Sequence, residues 1–152
     1  MDFDKKYITN CPEETQKFGK KFADYLIKKE KARNIPNIVC LYGDLGSGKT
    51  VFVQGVASGL GIAKRLLSPT FIIVRRYKIG NIYQYLYHLD LYRMKSSKSL
   101  QSIGISEIIN NPDFLVFIEW ADRLDRFLPK KRIDIHLSVL KNEHHSIKVR
   151  LT

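Results

Sequence analysis

The chain has 152 residues, a length that suits one domain around one core. With 44% hydrophobic and 11% aromatic residues it is composed like a globular protein, which excludes an intrinsically disordered chain. Its 26 Lys and Arg against 15 Asp and Glu leave a formal charge of +11, a balance that favours nucleotide, RNA or an acidic protein surface as partner. The basic residues are dispersed, and the longest run is Lys130-Lys131-Arg132. Charge alone therefore does not separate an RNA-binding face from a solvated one.

The amino terminus, MDFDKKYITN, starts acidic and lacks the apolar stretch of a signal peptide. No segment approaches the roughly 18 consecutive apolar residues of a membrane helix, so a cytoplasmic protein is expected. Thr15, Phe18, Gly19, Phe22, Tyr25 and Leu26 recur at helical spacing and predict an amphipathic helix over about 12–31. Pro12, Glu13 and Glu14 suit its first turn, Asn10 or Cys11 would cap it, and NIPN at 34–37 ends it. IVCLY (38–42) reads as a buried strand, followed by a glycine loop and a helix over about 49–59. Cys40 lies in that apolar run; with Cys11 it has no metal-type spacing and makes no disulfide framework.

TFIIVRRYKIG (70–80) and NIYQYLYHLDLYR (81–93) are β-rich runs meeting at Gly80-Asn81, which predicts a hairpin. A helical stretch over about 97–110, an apolar strand FLVFIEW (114–120) and a short helix in ADRLDRFLP follow. RIDIHLSVL and SIKVRL alternate on either side of KNEHH and predict a carboxy-terminal β-hairpin. Together these predict an α/β fold, a P-loop NTPase-like three-layer domain with a mixed sheet, spanning residues 1–152.

Gly43-Asp44-Leu45-Gly46-Ser47-Gly48-Lys49-Thr50 matches G-x-x-x-x-G-K-[ST], with a strand before it and a helix after. Its glycines let backbone N–H groups turn inward to phosphate oxygens, and the helix adds its positive end. Lys49 would reach the β and γ phosphates, the Thr50 hydroxyl would take Mg²⁺, and Val51 completes the binding set. A nucleoside triphosphate is the expected ligand.

Such a loop needs an acid on a neighbouring strand, and Glu119 at the end of LVFIE is the first candidate. Asp90 is the second, sharing a strand face with Leu86, His88 and Tyr92 while Tyr85, Tyr87, Leu89 and Leu91 take the other. His88 reads as structural, and His136, His144 and His145 as strand or turn residues. In SPTF (68–71), Ser-Pro opens a turn and Thr70 a strand; a loop threonine can also sense a γ phosphate.

GDLGSGKT, SPTF, HLDLYR and IEW, in that order, resemble the TsaE (YjeE) family, bacterial ATPases of the pathway that makes threonylcarbamoyladenosine in tRNA. The resemblance spans about residues 8–150. It implies that Thr50 and Glu119 hold Mg²⁺ and that Asp90 orients or activates the attacking water. It also implies that Thr70 acts as a switch and that Trp120 lies beside the nucleotide. Lys49, Asp90 and Glu119 are then the catalytic set, ATP and Mg²⁺ the cofactors. The partners would be a TsaD-type threonylcarbamoyltransferase and its TsaB-type companion. Whether the basic surface meets tRNA, directly or through a partner, stays open.

A kinase would need an acceptor pocket and an arginine-bearing lid. The only sizeable insertion, 94–112, carries few arginines, so water is the expected phosphoryl acceptor. The alternatives are a small-molecule kinase and an RNA-binding module with a structural nucleotide. Arg93, Arg123 or a partner would supply positive charge to the transition state.

Overall fold

Two continuous apolar runs, IVCLY and FLVFI, set the centre of the sheet, because a strand covered on both faces has no polar side to show water. In a computed structural model, described over residues 4–30, 35–63, 73–80, 82–94 and 97–152, they become β2 (Ile38–Tyr42) and the main part of β5 (Phe114–Glu119). The remaining elements in chain order are β1 (Lys6–Thr9) and α1 (Pro12–Glu30) before β2, then α2 (Lys49–Gly59), β3 (Val74–Lys78) and β4 (Tyr85–Asp90). α3 (Ser97–Ser102) and α4 (Ile105–Ile109) precede β5; a 3-10 helix (Ala121–Phe127), β6 (Ile133–Val139) and β7 (His145–Leu151) follow it.

The seven strands make one mixed sheet in the order β1-β7-β6-β2-β5-β4-β3. β2 runs parallel to both β5 and β6, and β4 parallel to β5. The pairs β3–β4, β6–β7 and β1–β7 are antiparallel. Helices cover both faces, which gives the expected three layers. On one face Phe22 and Leu26 of α1 and Phe52 and Val56 of α2 pack on Val39, Leu41, Leu115 and Phe117. The rings of Phe22 and Phe52 lie 5.5 Å apart, and Phe22 meets Phe117 edge-on at 6.4 Å. On the other face Cys40, Val116 and Ile118 pack with Leu100, Ile105 and Leu124. Burial pushes the Cys40 thiol up to about 12, so this sulfur is a core atom and no nucleophile.

α1 and α2 approach until their backbones touch. A Cβ on Gly55 would collide with the Gln16 carbonyl, and one on Gly19 with the Phe52 carbonyl. This close fit anchors α2, the helix that the glycine loop opens.

Three sequence expectations shift at their edges, and one strand comes in addition. β1 carries no apolar run for the sequence to show; it exists because β7 offers it an open edge, with Lys6 opposite Lys148 and Thr9 opposite His145. The helix expected over 97–110 is two short ones, broken where Gly104 turns left-handed at φ 68°. The hairpin of β3 and β4 forms in register, Val74 opposite Leu89, but its connection is longer than the dipeptide Gly80-Asn81. Ile79 and Tyr83 are buried in that connection, and Gln84 donates its N–H to Asp113. β5 stops at Glu119, because Trp120 takes a left-handed φ of 58°. Among the described residues no helix is long and apolar enough to cross a membrane.

Candidate functional site

The carboxyl ends of β2, β5 and β4 fall in one row, with Leu41 opposite Glu119 and Glu119 opposite Asp90. Side chains alternate along a strand. Glu119 therefore continues the face of Leu115 and Phe117, and Asp90 that of Leu86 and His88, which is the face α2 covers. The two acids so arrive together at the amino end of α2, though their codons lie far apart. Both are buried, at 2% and 4% exposure. For open sheets with parallel strands, this carboxyl edge is where ligands bind.

Thr50, in the first turn of α2, donates its hydroxyl to Glu119, 2.9 Å from Oε1 and 3.0 Å from Oε2. His88 Nε2 stands 2.8 Å from the same Oε1. Its Nδ1 is buried and has no hydrogen-bond partner among the described residues. Asp90 accepts the Tyr92 N–H at 2.9 Å, which ties its carboxylate to the turn that ends β4.

The loop itself needs glycine at three places, since Gly43, Gly46 and Gly48 have φ of 140°, 81° and 96°. Gly43 also runs against the Leu137 carbonyl, where any side chain would collide. Leu45 at the loop tip is exposed, while Ser47 and Lys49 are buried. Lys49 Nζ donates to the Gly43 carbonyl at 2.6 Å and the Asp44 carbonyl at 2.9 Å, with Ser47 Oγ at 3.5 Å. Burial pulls the Lys49 ammonium down from its usual range, and Glu119, Asp90, Asp44 and Asp122 pull it back up. Among the described residues no side chain caps α2 at Gly48, which leaves the first N–H groups of the helix without a capping partner.

Trp120 closes one wall, with its ring centroid 4.2 Å from Lys49 Nζ and 4.9 Å from the Tyr92 ring. A left-handed backbone costs a residue of this size about 1–2 kcal/mol. A cation–π contact of about 0.5–2 kcal/mol offsets much of that cost. Gly46, Gly48, Lys49, Thr50, Asp90 and Glu119 line the cavity beneath, about 250 Å³.

These are the groups expected from sequence: Gly43, Asp44, Leu45, Gly46, Ser47, Gly48, Lys49, Thr50 and Val51 from the loop and helix, with Asp90, Glu119 and Trp120 from the strand ends. Thr70 lies outside the described residues. Arg123 donates to the Met94 carbonyl at 3.2 Å and lies 4.0 Å from Asp122, and Arg93 is exposed. Two histidines matter more than their sequence context suggested. His88 touches Glu119, a contact foreshadowed by its shared face with Asp90. His145 touches the loop backbone from the far end of the chain, Nδ1 to the Ser47 carbonyl at 2.9 Å, and no local pattern could have shown it.

A hydroxyl and a carboxylate are the hard oxygen donors that Mg²⁺ takes, with water and phosphate filling the other positions. Among the described residues no cluster of three or more His, Cys, Asp or Glu is set to hold a metal. The donor set fits a cation shared with a phosphorylated ligand better than a closed protein cage.

The loop between β2 and α2, with an acid on the adjacent parallel strand, defines a P-loop NTPase-like α/β protein. The family described as "Threonylcarbamoyl adenosine biosynthesis protein TsaE" matches residues 9–147. The chain belongs to the TsaE family. It is 36% identical over 121 residues to the tRNA threonylcarbamoyladenosine biosynthesis protein TsaE of Haemophilus influenzae, covering 80% of this chain and 73% of that protein. It is 35% identical over 130 residues to the protein of the same name from Bacillus subtilis, covering 86% and 75%. The crystal structure of Bacillus subtilis YdiB superposes with a TM-score of 0.73 at 31% identity, over 97% of this chain and 86% of that one.

Proposed function

We propose that this protein is a Mg²⁺-dependent ATPase that serves tRNA threonylcarbamoyladenosine synthesis while docked on TsaB- and TsaD-type partners. The observation that carries the reading is the hydroxyl of Thr50 held on both oxygens of Glu119, with Asp90 in the next register position, at the mouth of a glycine loop. Its biological setting follows from family membership, since the named relatives are tRNA threonylcarbamoyladenosine biosynthesis proteins.

In this reading the loop amides and Lys49 bind the phosphate chain, and Lys49 exchanges its contacts with the Gly43 and Asp44 carbonyls for phosphate oxygens. Thr50 and Glu119 hold Mg²⁺, which supplies charge neutralisation to the transferring phosphoryl group. His88 fixes the carboxylate of Glu119 from behind. Asp90, the other acid of the row, orients a water for attack. Phosphoryl transfer asks a protein chiefly for positioning and charge, and an arginine finger is worth roughly 10³–10⁵ in rate. Arg123 is engaged with Met94 and Asp122. Arg93 or a partner is then the expected source of that charge, and turnover by the isolated chain is slow.

The test is phosphate release from Mg-ATP by the purified protein, alone and with TsaB- and TsaD-type proteins added. Binding of the partners with a changed turnover supports the reading. Partners that neither bind nor alter turnover contradict it, and a phosphorylated metabolite in place of free phosphate would make the protein a kinase.

A further inference from the structure

The carboxy-terminal hairpin bears no part of any phosphate-binding motif, yet it forms the back wall of the glycine loop. His145 opens β7, pairing with Thr9 of β1 on one side and Val139 of β6 on the other. Its Nδ1 lies 2.9 Å from the Ser47 carbonyl oxygen. A carbonyl only accepts, so Nδ1 carries a proton and donates it. Thr15 of α1 flanks the same spot, its own hydroxyl 2.8 Å from that of Thr9. A Cβ placed on Gly48 would stand 3.3 Å from His145 Nδ1 and 3.8 Å from Thr15 Cγ2. Neither His145 nor Thr15 lines the cavity that Lys49, Thr50, Asp90 and Glu119 line. The histidine sits behind the loop and the acids in front.

The peptide joining Ser47 to Gly48 is planar, and no peptide bond among the described residues is cis. Its C=O and N–H therefore point in opposite directions. Holding the oxygen backward on His145 turns the Gly48 N–H forward, toward the cavity. Among the described residues no other hydrogen bond is seen to hold that peptide plane: Gly48 is in the left-handed region, which glycine enters freely, and no side chain caps α2. We propose that His145 is a positioning residue for the phosphate cradle: by holding the Ser47 carbonyl it aims the Gly48 amide at the bound phosphate. This rests on the nucleotide-binding reading above and assigns to the β6–β7 hairpin a direct part in it.

The experiment titrates a fluorescent ADP, with Mg²⁺, into the wild-type protein and the His145→Ala, His145→Asn and Lys49→Ala variants, with the melting temperature of each measured without nucleotide. An asparagine amide presents an N–H near the position of Nδ1. His145→Ala is expected to weaken binding about tenfold, the scale of one hydrogen bond to a charged group. His145→Asn should return it to within about twofold of wild type. A brace with no bearing on the cradle would shift melting temperature and leave affinity alone. Unchanged affinity in His145→Ala, with Lys49→Ala binding nothing, overturns the positioning role and leaves the nucleotide reading standing. A folded wild-type protein that binds no ADP overturns both. Should His145→Ala fail to fold, the wild type labelled with ¹⁵N-glycine decides: the Gly48 amide proton moves downfield on adding Mg-ADP, and a resonance that stays put contradicts the proposal.

Discussion

The two halves of the sheet do different work on the same loop. The parallel strands β2, β5 and β4 end together and deliver Glu119 and Asp90 to one point, so side chains carry their contribution. On the other side of β2, β6 starts the antiparallel run β6-β7-β1, and among the described residues it delivers no acid to the cavity. The run meets the loop through the Leu137 carbonyl behind Gly43 and through His145 behind Ser47. In the proposed reading, one half supplies the reacting groups and the other holds the backbone that would bind phosphate. A parallel arrangement suits the first task because strands running the same way bring their last residues into one row. A hairpin suits the second because its paired edges make a stiff wall.

The comparison breaks most visibly if the parallel half proves dispensable. Lys49→Ala is expected to weaken ATP binding by at least about 10²-fold, since a buried ammonium facing phosphate is lost. Isothermal titration reads this, and near-normal affinity would remove the loop from the site. Glu119→Ala should abolish measurable hydrolysis, and it also leaves the Thr50 hydroxyl and His88 Nε2 without their shared partner. Steady-state phosphate release reads the first effect and thermal melting the second.

A substitution beneath both halves sharpens the comparison. Gly55→Ala pushes α1 from α2 through the Gln16 carbonyl. Overpacking of this kind costs about 1–3 kcal/mol, while alanine in a helix returns up to about 1 kcal/mol. Urea unfolding should show a net loss of about 1–2 kcal/mol. An unchanged midpoint would mean that the two helices separate without cost.

The smallest effect belongs to the antiparallel half. Burial pulls the His136 imidazole below its ordinary value of 6.5, against an opposing pull from Asp134 and with a further push from Arg150 and Lys148. The folded state thus holds a proton less readily than the unfolded one. Stability is complete above the ordinary value and falls as pH drops below it. His136→Phe keeps the stack on Tyr42, whose ring lies 4.7 Å away. It should flatten the fall between neutral and mildly acidic pH, read by melting temperature.

The same division explains what the sequence could tell. The glycine loop, β2 and β5 are written in contiguous residues with strong patterns, and Glu119 is marked as a lone acid after four apolar residues. Asp90 and His88 were visible as a shared strand face, but only the parallel pairing of β4 with β5 sets Asp90 opposite Glu119. The His145 contact joins residues 98 positions apart through a backbone carbonyl, which has no residue identity to read. β1 was hidden for a related reason. Four residues give no periodicity, and its strand state comes from the edge of β7.

The central claim is that the two carboxylates turn a phosphate-binding loop into a hydrolase. Its most direct test compares phosphate release by wild type and Asp90→Ala, each with Mg-ATP and the partner proteins, after both have been shown to bind ADP. The account predicts that Asp90→Ala binds nucleotide and melts much like wild type, yet releases no phosphate above background. Equal release by the two proteins, or loss of ADP binding in a folded Asp90→Ala, would contradict it.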